Sequence, residues 1–216
     1  MLSPRLDGVI ELLAPDEQKR ARAYRFEDDR RRYLGSSLLQ RKVLAHYSAC
    51  EMQDLSFSRN QRGKPSLDGD HDTIEFNISR SHEVALLAVS DGNVLGVDVE
   101  YALGGDNGAT AVASQFSEPE RSYIENVPNS TQAFFETWAR KEAYIKGIGR
   151  GLSHPLAEFD VTQNGNPLVR DWSENPPAEP WRVHSIELPV SGYAAAIATI
   201  LPSPSIEMIE ITLEEF

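Results

Sequence analysis

FFETWARKEAYIKGIGRGL, Phe134–Leu152, is the stretch on which the reading of this chain turns. It predicts a helix. Asn129, Ser130 and Thr131 offer N-cap oxygens before it, and Gly147, Gly149 and Gly151 end it. Phe134, Phe135, Trp138, Ile145 and Ile148 fall on one stripe at helical spacing. Glu142 lies inside that stripe, and Lys146 follows one turn later at its edge. An acid on a core-facing stripe is costly unless it finds a partner. Two readings stand: an exposed i, i+4 ion pair, which stabilises a helix slightly, or an acid and a base facing a cleft. The aromatic neighbours favour the cleft.

Working outward, Val84–Ser90 is a near-continuous apolar run that predicts a buried strand, and Asp91-Gly92-Asn93 has hairpin-turn chemistry. The chain returns as LGVDVE, residues 95–100, with Leu95, Val97 and Val99 on one face and Gly96, Asp98 and Glu100 on the other. Two carboxylates at i and i+2 lie about 7 Å apart along a strand. Such a pair suits a hard divalent cation, magnesium above all. A solvated acidic outer face would leave the same pattern.

The bulk composition limits the alternatives. With 216 residues, 40% of them hydrophobic, the chain can form one large domain or two small ones. Its single cysteine, Cys50, rules out an internal disulfide and a cysteine-built zinc site, and makes a reducing cytoplasm the expected compartment. MLSPRLDGVIELLAP lacks the basic segment and apolar run of a signal peptide, and Gly192–Leu201 is too short to span a bilayer, so no membrane association is expected. The net charge of −12 speaks against a nucleic-acid partner. Its distribution is uneven: residues 1–64 carry net +4 and the remainder net −16. A basic segment on an acidic protein points to a local anion site.

Within the basic segment, Val9–Leu13 predicts a short strand closed by Pro15, and Asp28–Ser48 a helix through Tyr33, Leu34, Leu38, Leu39, Val43, Leu44 and Tyr47. Phe57 opens a strand. NQRGKP, 60–65, is a loop whose glycine would let a phosphate approach closely, although Gly-Lys-Pro is also ordinary turn chemistry. DGDHD, 68–72, lacks the ligand pattern of a calcium loop. The glycine-rich 101–109 segment is no P-loop and marks the expected boundary between halves 1–110 and 111–216. Ser117–Glu120 has capping-box spacing. Beyond Gly151 the chain predicts strands at Leu156–Thr162, Leu168–Val169, Trp181–Leu188, Gly192–Leu201 and Ile206–Leu213, with an Asn164-Gly165 turn.

LGVDVE at 95–100 and WARKEAYIKGIGRGL at 138–152 resemble the two signature motifs of the 4′-phosphopantetheinyl transferases, in the long, monomeric type that activates peptide and polyketide synthetases. GKP at 63–65, FNIS at 76–79 and the basic RFEDDRRRYLGSSLLQRKVL at 25–44 match further blocks, and the resemblance covers roughly residues 14–160. It implies an α+β fold, a pseudo-dimer of two similar halves, each an antiparallel sheet packed with helices, with coenzyme A in the cleft between them. It implies transfer of 4′-phosphopantetheine from coenzyme A to a serine of an apo acyl or peptidyl carrier protein. On that reading Asp98, Glu100 and Glu142 hold Mg²⁺, Glu142 takes the serine proton and Lys146 stabilises phosphoryl charge. Arg31, Lys64, Ser79, Arg80 and Lys146 bind coenzyme A. One departure stands out: where the family reads FN-x-SHS, this chain reads FNISRS, with Arg80 in place of the histidine that touches the 3′-phosphate and His82 two residues on. The rival readings are another Mg²⁺-dependent phosphoryl-transfer enzyme or hydrolase using the same pair, and a non-catalytic module that binds coenzyme A or a carrier.

Overall fold

The computed structural model describes residues 10–211 except 61, 70, 72, 104–108 and 163–165; for Ala109 and Leu152 only the backbone is described. Helix α1 (Pro15–Ala23) begins on a proline, and Glu17 Oε2 accepts the Ala14 amide at 3.0 Å, which closes its first turn. Helix α2 (Glu27–Ser48) ends at Ala49 in the left-handed region. Its Arg41 is buried and ties three segments together, donating to Glu17 Oε2 at 2.7 Å and to the carbonyls of Met52 and Leu55.

Strands β1 (Phe57–Arg59) and β2 (Pro65–Leu67) form a small hairpin, and β3 (Ile74–Ser81) pairs antiparallel with β4 (Val84–Asp91). Strand β5 (Leu95–Tyr101) then joins a different sheet. After α3 (Ala109–Ala113), α4 (Glu118–Asn126) and α5 (Ser130–Ile148) come β6 (Phe159–Asp160), β7 (Arg170–Asp171), β8 (Arg182–Ile186) and β9 (Tyr193–Thr199). β6 pairs with β7, and the three-stranded sheet runs β5-β9-β8, all antiparallel. The fold is thus mixed helix and antiparallel sheet. Its largest core surrounds α5, with Phe116, Phe134, Phe135, Tyr144, Phe159, Trp181 and Ala194, Ala196 and Ala198 of β9; two smaller clusters lie under α1 and α2.

Two glycines set how closely α5 lies on β5. A Cβ on Gly96 would collide with Ala143 O and Gly147 N, and one on Gly147 would enter the Trp181 ring. Strand and helix therefore meet backbone to backbone. That contact brings the Gly96, Asp98 and Glu100 face of the strand onto the helix.

Some expectations need correction. Residues 10–12 form a 3-10 turn where a strand was expected, because Ile10 and Leu13, three apart, both pack into the core beneath α2. Val84–Ser90 is half-buried throughout, not a buried strand, since among the described residues its one ladder partner is β3. The Asp91–Asn93 turn exists, with Gly92 at φ 69°, but β5 leaves it to pair with β9 and makes no hairpin with β4. Leu156–Glu158 is a 3-10 turn, and strand pairing is confined to Phe159–Asp160. Leu168 makes only an isolated bridge to Arg182. No strand forms over 206–211, where exposed Ile206, Met208 and Ile209 find no ladder partner among the described residues. Val9, the Asn164-Gly165 turn, residues 212 and 213, and most of the 101–109 loop lie outside the described residues.

Candidate active site

β3 lies beside β5 without a backbone ladder, and side chains do the joining. Asn77 Oδ1 accepts Val97 N at 2.9 Å, Ser79 Oγ donates to Asp98 Oδ1 at 2.7 Å, and Ser81 Oγ accepts Tyr101 N at 3.0 Å and donates to Glu100 Oε2 at 3.3 Å. The partners advance together in number, so the two strands run in the same direction. The alternation of a strand puts Asn77, Ser79 and Ser81 on one side, and that side faces β5. Arg80, on the other side, faces α2.

From the helix, Lys146 Nζ donates to Asp98 Oδ1 at 2.6 Å and to Ser79 Oγ at 2.8 Å, and Trp138 Nε1 donates to Glu100 Oε1 at 3.1 Å. Trp138 is backed by Phe116, stacked on it at 5.8 Å between ring centres. Glu142 lies between these two contacts in sequence, one turn from each. The structure thus brings Ser79, Asp98, Glu100, Glu142 and Lys146 together. Asp98 is 2% exposed, yet its Oδ2 is buried without a hydrogen-bond partner, and so is Glu142 Oε1. Each such oxygen costs roughly 1–3 kcal/mol of stability. A fold tolerates that expense at sites that bind something else.

Electrostatics follow from this crowding. Burial pushes the Glu142 carboxyl up to about 7, reinforced by the charges of Asp98 and Glu100 and opposed by Lys146. Burial also raises Asp98, against the pull of Lys146 and Ser79, and raises Glu100, where the Asp98 charge adds to the effect. Three carboxylates that resist ionising together suit a hard divalent cation with oxygen ligands. Among the described residues, no three His, Cys, Asp or Glu side chains already form a group able to hold a metal ion. Here the Lys146 ammonium occupies Asp98 Oδ1, and both Glu100 oxygens are taken by Trp138 and Ser81. The open oxygens belong to Asp98 and Glu142, and the donor set fits such an ion.

The expected cations separate into two places. Arg31 and Arg80 line one cleft, together with Arg32, Ser36, His82 and Glu83. Arg80 donates to Ser36 Oγ at 2.9 Å and lies 5.8 Å from the centre of the Tyr33 ring, on which Arg20 also lies at 5.3 Å. Among the described residues no carboxylate pairs with Arg80. Lys64 lines a different cleft and donates to the carbonyls of Leu95, at 3.3 Å, and Gly147, at 3.2 Å. Burial lowers its pKa.

Sequence reasoning missed Trp138 and Ser81 as the donors that hold Glu100. The Asn77-Ser79-Ser81 alternation was the signal for Ser81, and the i, i+4 spacing of Trp138 and Glu142 was the signal for the indole. It also missed Lys141, which is fully buried and donates to Glu120 Oε2 at 2.6 Å and to Phe159 O at 2.9 Å.

A family model described as the 4′-phosphopantetheinyl transferase superfamily matches residues 94–198, and one described as 4′-phosphopantetheinyl transferase, N-terminal, matches residues 3–92. The chain is 33% identical over 178 residues to the 4′-phosphopantetheinyl transferase gsp of Aneurinibacillus migulanus, covering 81% of this chain and 71% of that one. It is 32% identical over 162 residues to the 4′-phosphopantetheinyl transferase HetI of a Nostoc species, covering 72% and 67%. It is 28% identical over 205 residues to the 4′-phosphopantetheinyl transferase Sfp of Bacillus subtilis, covering 94% and 83%.

Proposed function

The chain belongs to the 4′-phosphopantetheinyl transferase family and is a transferase, and from that premise we propose that it moves 4′-phosphopantetheine from coenzyme A to a serine hydroxyl of an apo acyl or peptidyl carrier protein, with Mg²⁺ as the metal. The observation that carries this reading is the pair of buried, unpartnered oxygens, Asp98 Oδ2 and Glu142 Oε1, beside the Lys146 ammonium. Coenzyme A would lie between the two halves, which the resemblance makes a pseudo-dimer, and the enzyme would act as a monomer.

In the reaction the serine oxygen bonds to the phosphorus that carries the pantetheine arm. The bond from that phosphorus to the bridging oxygen breaks, and adenosine 3′,5′-bisphosphate leaves. Serine is a weak nucleophile until a base takes its proton. Glu142 is that base: its carboxyl, held near neutrality by burial, is poised to accept a proton. Lys146, 29% exposed, can turn from Asp98 to a phosphoryl oxygen and stabilise its charge. Asp98, Glu100 and Glu142 would hold the Mg²⁺, which when bound supplies Lewis-acid polarisation of the pyrophosphate. Trp138 and Ser81 keep the Glu100 carboxylate oriented. Arg31, Arg80 and Lys64, with Ser79, would bind the anionic parts of coenzyme A. The uneven charge fits this division, with cations in the first half and the acidic metal strand and helix beyond it.

Mass spectrometry of an apo carrier protein incubated with the enzyme, coenzyme A and Mg²⁺ tests the proposal. A mass gain equal to one phosphopantetheine is expected. Cleavage of coenzyme A without modification of any carrier would favour the hydrolase reading instead, and binding without either product would favour the non-catalytic one.

A further inference from the structure

The cleft that holds Arg31 and Arg80 already contains an anion of the protein's own. Glu83 sits in the two-residue turn between β3 and β4, and its carboxylate accepts from Arg31 and Arg32 near the start of α2. Arg31 Nη2 donates to Glu83 Oε2, and Arg32 donates to Oε1 through Nε at 2.9 Å and Nη2 at 2.8 Å. The turn that presents this carboxylate is held in place. His82 has φ 51°, in the left-handed region, and its ring stacks on Tyr101 at 4.5 Å. The Glu83 amide donates to Tyr193 Oη at 3.3 Å. Tyr101 and Tyr193 are cross-strand partners on β5 and β9. The position of Glu83 is therefore anchored to the sheet that carries Asp98 and Glu100.

We propose that Glu83 is an internal counter-ion for the anion-binding cleft, which the phosphate group of a ligand must displace from Arg31 and Arg32. The proposal rests on the reading of this cleft as the site for an anionic end of coenzyme A. A phosphate offers guanidinium groups the same paired acceptor oxygens as a carboxylate, with more charge. Arg31, Arg32 and Glu83 are 35%, 31% and 40% exposed, so solvent and ligand can reach them. Exposed pairs of this kind are weakly held. Arg80, in the same cleft, has no carboxylate partner among the described residues and stays available throughout. Glu83 thus keeps the two guanidiniums oriented while the cleft is empty, and it lowers affinity by competing with the ligand.

Calorimetric titration of the full-length protein with coenzyme A tests this. Glu83→Gln should tighten coenzyme A about threefold to tenfold at low ionic strength, and added salt should shrink the gain because these charges are exposed. Arg31→Ala should weaken coenzyme A, and Glu83→Gln on that background should gain much less. Unchanged or weaker binding by Glu83→Gln, with Arg31→Ala still weakening it, would overturn the counter-ion and leave the cleft's assignment standing. No effect of Arg31→Ala or Arg80→Ala would overturn both. If Glu83→Gln folds poorly, Glu83→Asp keeps the charge but shortens its reach; it should tighten coenzyme A by a smaller factor, and weaker binding there would equally overturn the proposal.

Discussion

Lys141 and Glu142 are neighbours in the chain, yet the two faces of α5 treat charge in opposite ways. On one face Lys141 and Glu120 are both 0% exposed and fully engaged. Glu120 accepts from Lys141, from Ser117 N at 3.0 Å and from Val161 N at 3.0 Å, while the Lys141 ammonium also lies 3.7 Å from the centre of the Phe159 ring. That pair closes α4, α5 and β6 together. Burial still lowers the Lys141 pKa to about 8, which Glu120 opposes. On the other face Glu142 and Asp98 each keep one buried oxygen without a partner, and Lys146 divides itself between Asp98 and Ser79. A charge that has found all its partners holds the fold. A charge left short of partners is where a ligand can be received.

The sharpest way to break this contrast is to remove the Asp98 carboxylate of β5, a proposed metal ligand. Asp98→Ala should abolish turnover by removing a proposed ligand of the ion, and should cost less stability than breaking the Lys141–Glu120 pair, because Lys146 is 29% exposed and can turn to solvent and an unpartnered oxygen leaves with the carboxylate. Near-normal activity at limiting Mg²⁺ would end the assignment. The other face should respond in the opposite sense. Lys141→Met or Glu120→Gln should cost about 3–5 kcal/mol in urea unfolding by leaving half of a buried pair exposed to an apolar core. Glu120→Gln combined with Lys141→Met, which removes both charges and keeps an acceptor oxygen beside the Ser117 and Val161 amides, should recover part of that loss. If the single variants prove as stable as the parent, the pair is not the anchor described here. The smallest effect concerns Arg80. A guanidinium keeps its charge across the neutral range, where a histidine would lose it. Arg80→Ala should weaken coenzyme A more than dephospho-coenzyme A by about 1.5–3 kcal/mol. An unchanged ratio of the two affinities would show that Arg80 does not read the 3′-phosphate, and would turn attention to Arg20 or His82.

Both halves of the contrast left marks in the sequence, but unequal ones. The face proposed to be functional was legible because a strand and a helix each repeat: the i, i+2 carboxylates of β5 and the i, i+4 pair of α5 are local patterns. The glycines at 96 and 147 were not read as the contact between them; Gly147 was expected to end the helix, which runs on to Ile148 and is capped by Gly149. The structural face was half legible. The Ser117–Glu120 capping box was visible, but its glutamate's second role needs Lys141, 21 residues on, and no local pattern reports a partner so distant in the chain. The same reason explains the pairing of β5 with β9. Hairpin chemistry at Gly92 pointed to the neighbour in sequence, and the ladder formed with a strand nearly a hundred residues later. The short C-terminal strands were overcalled because apolar runs there serve single bridges and core contacts. Lys64 and Arg80 could be recognised as cations, but which clefts they enter depends on how β2, β3 and α2 pack.

The most direct test of the central claim, that Glu142 does chemistry while its neighbour Lys141 holds structure, is single-turnover transfer by Glu142→Gln. The substitution keeps the shape of the side chain and removes its ability to take the serine proton. With saturating coenzyme A, Mg²⁺ and apo carrier, the chemical step should fall roughly 10²–10⁴-fold, with coenzyme A affinity and thermal stability largely retained. A chemical step at the parent's rate, accompanied by weaker coenzyme A binding or a marked loss of stability, would leave Glu142 as a metal ligand or a structural residue only, with no role as the base, and contradict the account.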